Sequence, residues 1–135
     1  MECLFCKIVH REARAEVIYE DTAALAFLDI HPRASGHAMV VPKTHAGTLL
    51  EVKPKDIGPL FTAVQAVTRL LLKTLSPQGF TIGINHGKVS GQVVDHLHIH
   101  IIPRFEGDGG GSIHSVVTHP PKQDLSLVAR RIREA

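Results

Sequence analysis

Three histidines, His96, His98 and His100, alternate with Leu97, Ile99 and Ile101. Side chains of an extended strand point alternately to opposite faces, so this spacing predicts three imidazoles on one face and three apolar groups on the other. In a helix His98 would point away from both neighbours. Same-face positions lie roughly 6.6 Å apart on a strand, while a Zn–N bond is about 2.0 Å, so adjacent histidines cannot easily share one ion. Such a cluster divides its tasks: one ring for a metal, one for chemistry, one to orient. An imidazole becomes a covalent nucleophile when a hydrogen bond fixes one nitrogen as N–H and leaves the other bare. Phosphorus suits that nucleophile, because a phosphoramidate intermediate splits one hard displacement into two easier ones. The plain alternative is three histidines on the solvated face of an ordinary sheet.

Cys3 and Cys6 form a second constellation, whose C-x-x-C spacing in a reducing compartment suggests metal binding or redox chemistry before a structural disulfide. A P-loop is excluded, because Gly87-Lys88 is preceded by Ile82 instead of glycine and followed by Val89 instead of Ser or Thr. A hydrolase using the histidines as a catalytic metal site is a rival reading; no H-x-x-x-H helical pair supports it. Arg104, directly after the histidine segment, reads equally as a ligand for distal phosphates or as a surface arginine.

The elements that must position these residues follow from periodicity. Leu4, Phe5, Ile8 and Val9 predict a short first helix carrying Cys6. Val17 to Glu20 and Ala23 to Ile30 read as a hairpin about Asp21-Thr22, and His37 to Pro42 as a third strand. Ile57, Leu60, Phe61, Val64, Val67 and Leu71 predict one amphipathic helix from about Asp56 to Thr74, stopped by Ser76-Pro77-Gln78-Gly79. Phe80 to Asn85 predicts a fourth strand, His86 to Gln92 a polar loop, and His96 to Ile102 a fifth strand ending at Pro103. Gly107 to Ser112 reads as a flexible loop and Leu125 to Ile132 as a terminal helix. The expected fold class is α+β: a five-stranded, mainly antiparallel sheet with one long helix, a short N-terminal helix and a C-terminal helix.

With 135 residues, 44% hydrophobic and 21% charged, one globular domain is expected, with a core over 3–104 and an extension over 105–135. A net charge of +2 without a dense Lys/Arg run argues against polymeric nucleic acid. Neither a signal peptide nor a run of about 18 apolar residues is visible, so the reading is cytoplasmic, with no membrane partner.

These motifs resemble the histidine-triad superfamily of nucleotide hydrolases and transferases. The likeness extends from about Leu4 to Arg104 and includes Phe27-Leu28-Asp29-Ile30, Gly36-His37, Val41-Pro42-Lys43-Thr44-His45, Asn85 and Gly91-Gln92 in order. The resemblance implies His98 as nucleophile and His100 as its support. It further implies Asn85, Gln92 and backbone N–H groups near Gly91 on the phosphate, Asp29 on the ribose, and Phe5, Ile8, Phe27 and Ile30 around the base. Position 93 is Val where some relatives carry a hydroxyl, so Val93 offers only its backbone; His100 in place of glutamine favours hydrolysis over transfer between sugars. Relatives with this C-x-x-C bind zinc, which implies Cys3, Cys6, His45 and His96 as ligands of a closed structural site, with a metal-free pair as the alternative. His37 is a candidate outer partner there, and His10, His31, His86, His114 and His119 are expected at the surface. The implied activity is hydrolysis at the α-phosphate of nucleoside monophosphate derivatives, phosphoramidates or dinucleoside polyphosphates, through a nucleotidyl-histidine. The alternative is a nucleotide-binding adaptor with little or no catalysis. A purine nucleotide or conjugate as ligand and a homodimer as assembly are likewise implied.

Overall fold

The computed structural model describes residues 2–135. Its elements are α1 (Leu4–Val9), β1 (Val17–Glu20), β2 (Ala24–Leu28), β3 (Ala38–Pro42), α2 (Pro54–Leu75), β4 (Gly79–Gly83), β5 (Ile99–Arg104) and α3 (Leu125–Arg133). The five strands form one antiparallel sheet in the order β1-β2-β3-β5-β4. The expected α+β class is therefore observed.

Strand alternation gives the sheet two different faces. On one, Ala24, Ala26, Ala38, Val40, Leu97, Ile99 and Ile101 pack against Leu60, Ala63, Val64, Val67 and Leu71 of α2. The three alanines are fully buried and let the helix lie close to the sheet. On the other, Leu25, Phe27, Met39 and Val41 meet Phe5 and Ile8 of α1. The first hairpin closes at Asp21, whose Oδ1 accepts the N–H groups of Ala23 and Ala24 at 2.8 Å each, the local bond that makes Asp a turn residue.

Several boundaries differ from the sequence reading. Helix α2 starts at Pro54, whose preset φ suits the first helical position, and ends at Ser76, which turns left-handed at φ 51°. Strand β2 stops at Leu28 because Asp29 bonds instead to the His37 carbonyl at 2.9 Å, closing the loop between them. Strand β5 runs Ile99–Arg104 instead of His96 to Ile102. Leu97 N–H leaves the ladder for the Ala46 carbonyl at 2.7 Å, so His96 and His98 precede the paired strand. Pro103 is accommodated inside β5 because pairing with β3 reaches only Ile101.

Gly36 sets the entry to β3. Its φ is +83°, and a Cβ there would lie 2.3 Å from Leu75 Cδ1, so only glycine fits both the turn and the packing. The loop read as flexible is instead tied down. Asp108 accepts Arg104 Nε at 2.8 Å and Nη2 at 3.0 Å, together with the N–H groups of Phe105 and Gly110. That arginine and the two amides hold the Asp108 carboxyl far below the usual carboxylate range. Beyond Glu106 every residue is exposed except Val128 and Ala129, which are half-buried on α3.

Candidate active site and metal centre

The α2 face takes Leu97, Ile99 and Ile101, so His96, His98 and His100 turn toward α1 and the loop ending at His37. His98 is 8% exposed and His96 fully buried. The Phe5 and His98 rings meet in a T-shaped contact, with centroids 5.1 Å apart and planes at 89°. His98 and His100 lie 5.1 Å apart, ring to ring.

Backbone groups fix which nitrogen of each ring carries the proton. His98 Nδ1 lies 2.8 Å from the His96 carbonyl oxygen, which only accepts, so Nδ1–H donates and Nε2 keeps its lone pair. The Arg33 N–H donates to His37 Nδ1 at 3.0 Å, which makes His37 Nε2 the protonated nitrogen of the neutral ring. That N–H donates to His100 Nδ1 at 2.9 Å, leaving His100 with its own proton on Nε2. One backbone amide thus orders two imidazoles. Asp29 Oδ2 lies 3.5 Å from His37 Nε2 and 4.0 Å from His100 Nδ1, while Oδ1 accepts the His31 N–H at 2.9 Å.

Asp29, His37 and His100 could by distance hold an ion. The tautomer argues otherwise, because His37 Nε2 carries a proton and ligation needs a bare nitrogen. His37, expected as an outer partner of the Cys/His centre, instead supports His100; nothing local in the sequence signals this pairing across 63 positions.

Cys3, Cys6, His45 and His96 form a different arrangement. His96 Nε2 lies 2.9 Å from the Pro42 carbonyl and must donate to it, so Nδ1 is bare and faces the cluster. Around it stand Cys3 Sγ at 3.3 Å, Cys6 Sγ at 3.5 Å and His45 Nδ1 at 3.0 Å, with Cys6 Sγ 3.3 Å from His45 Nδ1. A tetrahedron with Zn–S of about 2.3 Å and Zn–N of about 2.0 Å has edges of roughly 3.3–3.8 Å, close to these separations. The four residues thus fit a metal ion, and all four are the ones expected. Burial, followed by the Cys3 thiol, pushes the Cys6 thiol up to about 11, so ligation must displace a proton.

The other expected residues are distributed as follows. Asn85 lies beside Gly91, its Nδ2 3.7 Å from where a Cβ would stand at that left-handed position. The Gln92 side chain is occupied: Oε1 accepts Gly87 N–H at 2.9 Å, and Nε2 donates to the carbonyls of Gly47 at 2.8 Å and Val94 at 3.0 Å. Both its N–H donors are spent on these two carbonyls. Phe5, Ile8 and Phe27 are buried together, with Phe5 edge-on to Phe27 at 5.3 Å, whereas Ile30 and Val93 are 83% and 93% exposed. Arg104 also donates to Thr81 Oγ1 at 3.0 Å and the Gly111 carbonyl at 2.6 Å, so it clamps the loop and is not a free phosphate ligand. His10, His31, His86, His114 and His119 are exposed, as expected.

A histidine with a defined bare nitrogen, a part-buried histidine pair beside it and a Cys/His cluster next door can be compared with known proteins. The family model of the HIT domain matches residues 10–107. The chain belongs to the HIT family. A HIT-like protein of Methanocaldococcus jannaschii is 47% identical over 107 residues, covering 79% of this chain and 82% of its own. Adenylylsulfatase HINT3 of Arabidopsis thaliana is 36% identical over 91% of this chain, which spans 62% of that protein. Adenosine 5'-monophosphoramidase hnt1 of Schizosaccharomyces pombe is 38% identical, covering 77% and 75%. Two solved HIT structures superpose with 36% identity: SMU.412c of Streptococcus mutans at TM-score 0.89, covering 98% of this chain and 84% of its own, and a HIT protein of Bacillus subtilis at 0.87, covering 99% and 96%. A Zn-bound histidine-triad protein of Mycobacterium smegmatis matches at TM-score 0.76 and 35% identity, covering 99% and 92%. Family membership and its link to hydrolase-named relatives are thereby shown.

The HIT site should respond to acid. Burial, then the neighbouring His98 and His37, holds His100 down to about 4, and burial also lowers His37; Asp29 opposes both shifts and Arg33 adds to that on His37. An unfolded histidine takes a proton near pH 6.5, so the unfolded state binds more protons between there and about 4, and stability falls as pH drops through that window. His100 should contribute a loss on the order of 2–3 kcal/mol. Urea unfolding at pH 7 and pH 4.5 checks it: His100→Gln should shrink the difference between the two, and an unchanged difference would contradict the assignment.

Proposed function

We propose that this HIT protein hydrolyses nucleoside monophosphate derivatives at the α-phosphate through a covalent nucleotidyl-His98. The observation that carries the reading is the 2.8 Å bond from His98 Nδ1–H to the His96 carbonyl, which leaves Nε2 bare, with the His100 ring 5.1 Å away. In the first step the Nε2 lone pair forms an N–P bond while the bond to the leaving group breaks and takes its electron pair with it. The leaving group collects a proton from cleft water, and the positive charge left on the imidazole is shared through Nδ1–H with the His96 carbonyl. In the second step water attacks phosphorus and gives up a proton to solvent, the N–P electrons return to Nε2, and a nucleoside monophosphate is released. His100 Nε2–H stabilises charge on a phosphoryl oxygen in both steps.

The nucleotide is a purine nucleotide or conjugate. Phe5, Ile8 and Phe27, with Ile30 at the rim, take the base; the unfilled lone pairs of Asp29 take the ribose hydroxyls. Asn85 and the backbone at Gly91, Gln92 and Val93 meet the phosphate, with the Gln92 side chain shaping the loop that presents them. Two relatives named as an adenylylsulfatase and an adenosine monophosphoramidase support this substrate class. Zinc on Cys3, Cys6, His45 and His96 would fasten α1 to the sheet with no position left open for water. One catalytic domain working in the cytoplasm as a homodimer completes the proposal; among the described residues no helix is long and apolar enough to cross a membrane.

Two outcomes test it. Purified protein should release AMP from an adenosine phosphoramidate or a dinucleoside polyphosphate, and His98→Ala should lower kcat by at least about 10³-fold. Nucleotide binding without turnover over such a panel would favour the adaptor reading. Metal analysis should find about one zinc per chain, and stripping it should lower the melting temperature by at least about 4 °C, roughly what 1 kcal/mol produces at this length. A stripped protein melting at the same temperature would refute the structural metal.

A further inference from the structure

We propose that Cys3 and Cys6 are a site of reversible oxidation, where a peroxide joins the two sulfurs in a disulfide, empties the Cys/His centre and loosens the hold of α1 on His98. The Cys3 side chain folds back over the first turn of α1, where its Sγ accepts the Cys6 N–H at 3.4 Å. The two Sγ atoms lie within 4.8 Å of each other, and both cysteines are free. A local movement of less than about 3 Å within one helical turn therefore brings them to the S–S bond length of about 2.0 Å. Access is graded: Cys6 is half-buried and Cys3 is 7% exposed, so an oxidant meets Cys6 first and Cys3 stands ready to resolve it.

A thiol that ligates a metal ion is held as thiolate, the form that attacks peroxide. Cys6 Sγ takes one oxygen of the peroxide as a sulfenic acid while the O–O bond breaks and hydroxide leaves. Cys3 Sγ then attacks Cys6 Sγ, so that the S–S bond forms, the S–O bond breaks and a second hydroxide leaves. The two thiolates lose two electrons, the peroxide accepts both, and two protons from solvent turn the hydroxides into water. Of the four ligands only His45 and His96 then remain, too few for a closed site. In a reducing compartment such a disulfide is transient, which makes the step a switch.

Three ties carry the change to the reaction site. The His96 ring faces the cysteines while its carbonyl accepts His98 Nδ1–H at 2.8 Å. Phe5, which lies between the two cysteines in sequence, packs on His96 and His98 with ring centroids 5.9 and 5.1 Å away. Beyond His45, the Ala46 carbonyl accepts Leu97 N–H at 2.7 Å and the Gly47 carbonyl accepts Gln92 Nε2 at 2.8 Å. The effect on turnover rests on the nucleotidyl-His98 reading; the disulfide and the loss of metal do not.

Hydrogen peroxide titrated into the zinc-loaded full chain tests this. Zinc release, read with a chromogenic chelator, should match disulfide formation one for one, read as the loss of two hydrogen atoms in the intact mass under denaturing conditions. Thiol reductant with added zinc should reverse both. Amide hydrogen exchange within α1 should quicken about tenfold or more, and AMP release from an adenosine phosphoramidate should fall by about as much. Cys6→His, which keeps four ligand side chains but lacks the second sulfur, should hold its zinc at peroxide levels that empty the wild type. A chain that takes up no zinc, one that keeps it under peroxide, or one that loses it while its sulfurs gain only oxygen would overturn the proposal. So would an oxidised chain with α1 exchange or turnover unchanged. A reduced, zinc-loaded chain that releases no AMP yet passes the mass, zinc and exchange tests would uphold the oxidation site and contradict the catalytic reading alone.

Discussion

One hydrogen bond, from His98 Nδ1–H to the carbonyl of His96, determines what this site can do. Under the proposed chemistry, a ring with the opposite tautomer would present N–H to phosphorus and could not attack it. Much of the surrounding structure keeps that bond in register. Leu97, Ile99 and Ile101 are pinned beneath α2, Leu97 N–H is tied to Ala46, and Phe5 of α1 packs on the His98 ring in a T-shaped contact. The apolar half of the alternation is therefore as important to the chemistry as the histidines, because it stops the segment from rotating.

The same short stretch serves two demands that oppose each other. His96 needs a bare Nδ1 toward the cysteines, while His98 two residues on needs a protonated Nδ1 and a bare Nε2. Neither ring chooses for itself: the Pro42 carbonyl settles the first and the His96 carbonyl the second. His100 is governed at longer range, through His37 and ultimately the Arg33 amide. Gly36 makes that reach feasible, since its left-handed turn under Leu75 delivers His37 to the start of β3. A backbone device of three carbonyl or amide groups thus assigns four imidazoles their roles.

Much of this was legible in the residues. Strict alternation at His96 to Ile101 predicted the two faces, and the α2 periodicity predicted the element that covers one of them. The cysteine spacing, read through the family resemblance, picked out the Cys/His cluster. What escaped depends on contacts between distant segments or on where a backbone group happens to point. His37 reads as an outer partner of the Cys/His cluster, but it bonds to His100. Gln92 looked like a phosphate ligand, and its donors turn inward to two carbonyls. Arg104 looked available, and Asp108 four residues later holds it. The start of β5 was misjudged because periodicity reports side-chain faces, not which backbone groups find a ladder partner.

The central claim is most directly tested by long-range proton–nitrogen NMR on protein labelled with nitrogen-15 in histidine, in mildly alkaline buffer. His98 is expected to show a protonated Nδ1 and a bare Nε2, with Nε2 unmoved when a divalent cation fills the Cys/His centre. A His98 ring protonated at Nε2, or an Nε2 resonance that shifts as a metal ligand, would contradict it.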